Sequence, residues 1–548
     1  MRLAAIVLSL TACGFHSPAV TDSAPGGTND VSAGSDAPLA GDAAVAHTGV
    51  SPMMFSINWP ANPASAPKVN TPWPTLAGSD IGSLRTWGSD VDWAGIETAR
   101  CDPTQLDDSC WSWASLTAFL AHNNDVHFVA ADYPDWSHPV GGAGSGVLPD
   151  DLTMPTGTDC VNIPQPFRTA ALLPQDDCAF QEFVFALAMK TCDGCTEANG
   201  WHGTLQIRSF SPGNEVNSKQ YLTPPCQKNK ATPCANLARA ATDLQRIVKY
   251  VDPTVTVGTP SFTQAAGYND LKYYLEQSPS PGDVADVLVF HIYGTGDSAN
   301  DTQAFAAGMP EVNWATRLAS YAALTTGAQD HMVGKPMWVD EGGWGENYQT
   351  NGDSTASCAN SDCGCLDAPA KPCMDADSIA NETIVTKKAT LTNAPAPGFL
   401  VRGYLQMLAA GVARFYWYAP GAGEWGSLGD YIKATATLQK TATAYAWSAM
   451  YQWLIGATMG TLSHTGTQWT YSITGKDPTR LTGCSPTALA APGYTALIAW
   501  DTMQSSTIDC GIYHSYCRLF EVPLDNGGSH PCVGGLAPLD GNPILLEP

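Results

Sequence analysis

Two glutamates stand where apolar runs end, and a pair of carboxylates can divide one reaction between them. In Pro336-Met337-Trp338-Val339-Asp340-Glu341-Gly342-Gly343-Trp344 a short strand delivers Glu341 onto a glycine-opened turn, where backbone can approach a ligand closely. In Leu205-Gln206-Ile207-Arg208-Ser209-Phe210 a second strand leads to Gly213-Asn214-Glu215. If the fold brings these ends together, one carboxyl group can protonate a leaving oxygen while the other attacks the carbon that the oxygen leaves. Across a barrel-sized opening such carboxylates sit about 5 Å apart, the separation that cleaves glycosidic bonds with retention of configuration. Two charges that close push their titrations apart, so one of the pair keeps its proton at neutral pH.

The elements that must position them repeat along the chain. Strands are expected at 53–58, 82–87, 126–132, 205–210, 254–260, 287–293, 336–341 and 412–418, with helical spacing near 113–123, 178–190, 235–250 and 438–454. Near-continuous apolar strands separated by helical or long connections indicate a parallel sheet covered on its outer face, and eight such units make a (β/α)₈ barrel. The segments leading out of strands are long (133–177, 216–233, 342–375), whereas the returns at 251–253 and Gly411 are short. Long excursions therefore gather on the face where barrels build their sites. From 457 the pattern changes to alternating strands such as 467–473 and 494–500, a small β-rich, sandwich-like domain whose aromatics either bind sugar or cap the barrel.

The barrel is expected over 51–456. Ahead of it, 14–50 is a tether of small and polar residues, too poor in large apolar side chains to offset its ordering entropy. Residues 1–13 read as an export signal, and Leu10-Thr11-Ala12-Cys13-Gly14 resembles the lipobox of bacterial lipoproteins, which makes Cys13 the expected lipidation site and any membrane attachment a lipid anchor. Setting Cys13 aside from 17 cysteines leaves an even 16, as disulfide pairing in an oxidising compartment requires. Cys226 with Cys234, and Cys358, Cys363, Cys365 and Cys373, are read as bridges stiffening the rim of a cleft, with zinc or redox chemistry as the alternative for the last four and for Cys192-Asp193-Gly194-Cys195.

The 548 residues carry 51 acidic and 26 basic side chains, a formal charge of −25 that would repel nucleic acid and anionic membranes. The expected substrate is a carbohydrate. No cofactor or metal is needed for the two-carboxylate mechanism, and no His-Glu-x-x-His spacing occurs.

Together, Asn214-Glu215, Phe290-His291-Ile292-Tyr293, Glu341-Gly342-Gly343-Trp344 and Phe415-Tyr416-Trp417-Tyr418 resemble the strand-four, strand-six, strand-seven and strand-eight segments of clan A glycoside hydrolases, most nearly families 39 and 5. The resemblance spans about Phe55 to Leu454. It implies that Glu215 is the acid/base, Glu341 the nucleophile and Asn214 the partner of the substrate 2-hydroxyl. It further implies that Arg85 keeps Glu341 ionised, that His291 and Tyr293 orient the nucleophile or the sugar, and that Trp417 forms a floor for an apolar sugar face. Trp87, Trp136 and Trp344 are rim candidates, and Tyr133, Trp136 and His138 open a long excursion with no assigned counterpart. Gly213 and Val216 depart from the aromatic and proline that commonly flank Asn-Glu in these families. A non-catalytic carbohydrate-binding or scaffolding protein on the same fold is the alternative reading.

Overall fold

Eight parallel strands form one ring: β1 (Ser56–Asn58), β2 (Ser83–Arg85), β3 (Asp125–Val129), β4 (Ser209–Ser211), β5 (Thr256–Val257), β6 (Leu288–Tyr293), β7 (Met337–Gly343) and β8 (Val412–Trp417). Each pairs with its sequence neighbour from β1 to β5 and from β6 to β8, and β8 pairs back onto β1. Between β5 and β6 a parallel bridge joins Gly258 to Val287, and the Thr259 N–H donates to the Val287 carbonyl at 3.1 Å. Those contacts close the ring, so no strand edge remains open. The fold is the (β/α)₈ barrel expected from the sequence.

The structure, a computed structural model, describes residues 49–548 apart from 59–80, 88–90, 104–106, 122–124, 138–177, 194–202, 204, 220, 264–266, 279, 294–309, 328–330, 344–347, 350–382, 386–389, 393–394, 419–428, 433–436, 441, 476–493, 503–505 and 519–528. Cys13, the tether, His138, Trp344, Cys195 and the cysteines at 358, 363, 365 and 373 lie outside the described residues. Among the described residues, no helix is long and apolar enough to cross a membrane.

The outer layer follows from apolar spacing. In the helix Ala231–Val251, Leu237, Ala241, Leu244, Ile247 and Val248 recur at three- and four-residue intervals and are buried. The helix stops just before Asp252-Pro253, where proline disfavours a helical conformation for the preceding residue. Cys178–Lys190 is buried throughout except at Lys190.

Several strands are shorter than their apolar runs. Pro52–Met54 form a 3-10 turn, with the Ser51 hydroxyl accepting from the Met53 N–H at 3.2 Å, so β1 begins only at Ser56. The regular ladder of β4 begins only at Ser209, with the Arg208 carbonyl accepting the Thr256 N–H at 2.8 Å, and β5 keeps two residues. The expected turn at Gly342 is instead strand: β7 runs through Gly343. A Cβ at Gly342 would overlap the Ile292 carbonyl oxygen, so this glycine admits the neighbouring strand rather than a ligand. The final barrel helix starts at Ala442, because 437–440 pair with Gly429–Ile432 as a small antiparallel ribbon.

The C-terminal region forms a six-stranded sheet, antiparallel in all its pairings, and a separate two-stranded ribbon. It is locked to the barrel through Glu311, whose carboxylate accepts both Arg402 Nε and Nη2 at 2.6 Å and the Trp500 indole N–H at 2.8 Å. Trp469 is stacked between His464 (4.5 Å) and Trp500 (6.0 Å). Disulfides join Cys101 to Cys110, Cys226 to Cys234 and Cys510 to Cys532, and Cys178, Cys192 and Cys517 are also disulfide-bonded.

Candidate active site

Strand β7 carries one residue more than β6 over their shared ladder, and it shifts register locally against β8 at the same place. Phe290 and His291 of β6 pair with Val339 and Glu341, and Phe415 and Trp417 of β8 pair with Val339 and Gly342, which leaves Asp340 as the inserted residue of a bulge. Strict alternation would send one of two adjacent side chains outward. The bulge re-aims the chain, and both Asp340 and Glu341 reach the same buried guanidinium.

That guanidinium is Arg85, from the end of β2 and fully buried. Its Nη1 lies 2.6 Å from Glu341 Oε2, and its Nη2 lies 2.9 Å from Asp340 Oδ2 and 2.6 Å from Asn214 Oδ1. Burial opposes its charge, but Asp340 and Glu341 more than reverse this and raise its titration. A planar fork of donors suits it to hold several oxygens at once.

Asn214 and Glu215 sit on a turn that follows β4. The turn is clamped at both ends on one residue: the Ser261 N–H donates to the Gly213 carbonyl (3.2 Å), and the Val216 N–H donates to the Ser261 carbonyl (3.1 Å). Within it Glu215 has φ 43°, a left-handed conformation that costs a non-glycine residue energy and recurs at functional sites. Because the Asn214 amide oxygen is taken by Arg85, its amide nitrogen is aimed elsewhere, and that buried donor has no hydrogen-bond partner.

His291 lies between the carboxylates. Its Nδ1 is 3.1 Å from Glu215 Oε1, and its Nε2 is 3.3 Å from Asp340 Oδ1 and 3.8 Å from Glu341 Oε2. Burial alone would strip its proton, but the charges of Glu341 and Asp340 outweigh burial and raise its pKa to about 10. The ring is thus an imidazolium at neutral pH. Tyr293 donates its hydroxyl to Glu341 Oε1 and stays protonated, held there by burial and the Glu341 charge. Asp340 is the permanent anion: burial opposes its charge, but Arg85 and His291 hold its titration well below the usual range. Burial pushes the Glu341 carboxyl above its ordinary range, His291 and Arg85 pull it back, and Glu215 pushes it further up, leaving it raised.

One oxygen of Glu215, one of Glu341 and one nitrogen of His291 lie within 4.8 Å of one another. A metal bound to this trio would have to displace a proton that the Glu341 and Asp340 charges hold on the imidazole.

The structure brings Arg85, Asn214, Glu215, His291, Tyr293 and Glu341 into one cluster. Trp417 requires a correction. It is fully buried on the side of β8 that packs on Phe415, and so has no face on which a sugar could stack. The next residue, Tyr418, is half-buried with its ring 6.4 Å from Tyr293, and burial together with the Glu341 and Glu215 charges raises its titration. Tyr221 is also half-buried and feels both glutamates, and its ring meets Trp87 edge-on at 5.4 Å, which puts Trp87 near the opening. Trp136 packs against Trp93 and donates to the Glu97 carbonyl, and Tyr133 is buried against Trp93.

Asp340, Ser261, Tyr221, Tyr418 and Asn58 escaped the sequence reading. Asn58 is the register partner of Arg85, fully buried, with neither amide atom hydrogen-bonded. The Asp-Glu pair is visible in sequence, but period-two alternation sends Asp340 outward. Tyr418 was visible as the last residue of an aromatic run.

No protein-family model matches the chain, and no curated protein matches it in sequence. Solved structures similar to it include a family 39 glycoside hydrolase from Bacteroides cellulosilyticus (12% identity, TM-score 0.45, 85% of this chain and 75% of that one). Others are a family 30 xylanase C catalytic domain from Talaromyces cellulolyticus (12%, TM-score 0.48, 90% and 96%) and a family 51 alpha-L-arabinofuranosidase from Bifidobacterium longum (12%, TM-score 0.48, 91% and 96%).

Proposed function

We propose that this chain is a retaining glycoside hydrolase that cleaves an O-glycosidic bond of a polysaccharide or oligosaccharide, with Glu341 as nucleophile and Glu215 as acid/base. The observation that carries this reading is the approach of a Glu215 oxygen to a Glu341 oxygen within 4.8 Å, a gap that fits the separation of about 5–5.5 Å used by retaining enzymes better than the roughly 6.5–9.5 Å used by inverting ones.

In the first step a Glu341 oxygen attacks the anomeric carbon, the bond to the leaving oxygen breaks, and that oxygen takes the Glu215 proton. In the second, Glu215 takes a proton from water, the water oxygen attacks the same carbon, and Glu341 leaves as a carboxylate. Arg85 and Tyr293 both donate to Glu341 and favour its charged form before attack and on departure. The unpartnered Asn214 amide N–H is free to donate to the sugar 2-hydroxyl, a bond that strengthens in the transition state. We further propose that the protein is exported and lipid-anchored through Cys13.

The test is a screen of aryl glycosides and defined polysaccharides with the wild type and Glu341→Ala. The variant should lose turnover, and azide should restore it partly, giving a glycosyl azide inverted relative to substrate because azide enters from the face that Glu341 vacated. Undiminished turnover by the variant refutes the nucleophile assignment. Glycan binding without bond cleavage by the wild type would favour the non-catalytic alternative.

A further inference from the structure

Asp340 pairs with the two cations that hold the glutamates, so both glutamates are reached through it. Its Oδ2 pairs with Arg85 Nη2 at 2.9 Å, and Arg85 Nη1 holds Glu341 at 2.6 Å. Its Oδ1 lies 3.3 Å from His291 Nε2, and the other nitrogen of that ring holds Glu215 at 3.1 Å. A third partner is the Ser261 hydroxyl, from the residue that clamps the Glu215 turn. Asp340 has no exposed surface and is there only because β7 bulges.

Resting on the reading of Glu341 as nucleophile and Glu215 as acid/base, we propose that Asp340 is a positioning residue: a buried carboxylate that keeps Arg85 on Glu341 and His291 on Glu215 through both chemical steps, including the interval when Glu341 carries no charge.

The charges redistribute between the two steps. Before attack, Arg85 and His291 face Asp340 and Glu341. When Glu341 becomes a glycosyl ester it is neutral, and the negative charge has moved to Glu215, which has given up its proton. At that stage Asp340 is the anion left against Arg85. Without it the guanidinium is free to turn to the Glu215 carboxylate, the group that must next take a proton from water. Loss of Asp340 should therefore impair release of the sugar from Glu341 more than its attachment.

The groups facing Asp340 are Arg85, His291, Ser261 and, from β3, His127, which burial keeps neutral with a pKa lowered to about 3. Those facing His291 are Glu215, Asp340, Glu341, Arg85 and Tyr293. Substituting Asp340 with its amide leaves the shape and removes the charge.

The experiment compares wild type with Asp340→Asn on an aryl glycoside with a good leaving group, in the steady state and before it, together with histidine NMR across pH. The expected result is a burst of released phenol and a kcat lowered about tenfold to a hundredfold, as misplaced reacting groups cost, with kcat/KM lowered less. In the same variant the His291 ring should lose its proton at lower pH than in the wild type. Equal falls in kcat and kcat/KM without a burst, and an unshifted His291, overturn the proposal. Should Asp340→Asn not fold, Ser261→Ala removes one tether without a charge change and should show the same split in smaller degree; proportionate falls again overturn it. If the wild type turns over no glycoside, the functional reading fails by itself, and the NMR titration still decides whether Asp340 holds His291.

Discussion

The Arg85 guanidinium and the Glu341 carboxylate meet at 2.6 Å with at most a sliver of either exposed to solvent. Strands β2 and β7, separated in the sheet by β1 and β8, supply them, so the pair exists only because the sheet curls. Taking both out of water is costly, and each offsets the other's desolvation. Arg85→Ala would leave Asp340 and Glu341 buried without their main cation, and the expected loss is about 3–5 kcal/mol of folding stability. Urea unfolding at neutral pH measures it. A variant as stable as wild type would mean that the pair is not buried in solution.

The acid limb of the kcat/KM profile should lie above the ordinary glutamate value of 4.5, because Glu341 attacks as an anion and burial raises its titration. Activity is then lost as pH falls through that raised value. Rates on an aryl glycoside between pH 3 and 8 locate the limb (a window of about that width brackets the carboxylate range). A limb at or below 4.5 would separate Glu341 from the rate-controlling ionisation.

Alkaline solution should weaken the fold through His291. Its folded pKa of about 10 stands above the ordinary 6.5, so the native state binds this proton more tightly than the unfolded chain does. The stabilisation is fully present below 6.5 and is lost as pH rises toward 10, with a slope of at most about 1.4 kcal/mol per pH unit. Unfolding free energies measured at points across that window should decline in the wild type and flatten in His291→Gln. Parallel curves for the two proteins would count against a charged His291.

Asn214→Ala should lower kcat/KM by about 10²–10³ if its free amide N–H stabilises the transition state as an oxyanion-hole donor does. On the corresponding 2-deoxy glycoside the variant and wild type should be nearly equal, since the partner oxygen is gone. A difference that survives deoxygenation would assign the amide to holding Arg85 rather than to the sugar.

Trp417, the last residue of β8, and Tyr418 just beyond it should behave oppositely. Trp417→Ala opens a cavity in a packed layer and should cost about 3–5 kcal/mol of stability, with kinetics of the folded fraction little changed. Tyr418→Ala should leave the melting temperature almost unmoved and raise KM. Reversal of the two phenotypes would restore Trp417 as the sugar platform.

Much of this was legible in the chain because it follows from local rules. The helix Cys178–Lys190 falls where apolar density put it, and the apolar runs that become β6 and β8 were read to within a residue. Strand ends next to glycine and long excursions pointed to Glu215 and Glu341. Hydrogen bonds inside an element, and the spacing that buries one of its faces, are properties of neighbours in sequence, so a sequence displays them.

What only the tertiary structure decided is which way particular side chains face and what they meet. Asp340 turns inward because β7 holds one residue too many for β6, a mismatch that arises from pairing between strands far apart in the chain, and Trp417 lies with Phe415 on the buried outer side of β8. The charge on His291 likewise belongs to no segment: it is set around a buried imidazole by Glu215, from the turn after β4, and by Asp340 and Glu341, from β7. Such energies depend on distance and burial, and those are fixed only when the barrel has closed.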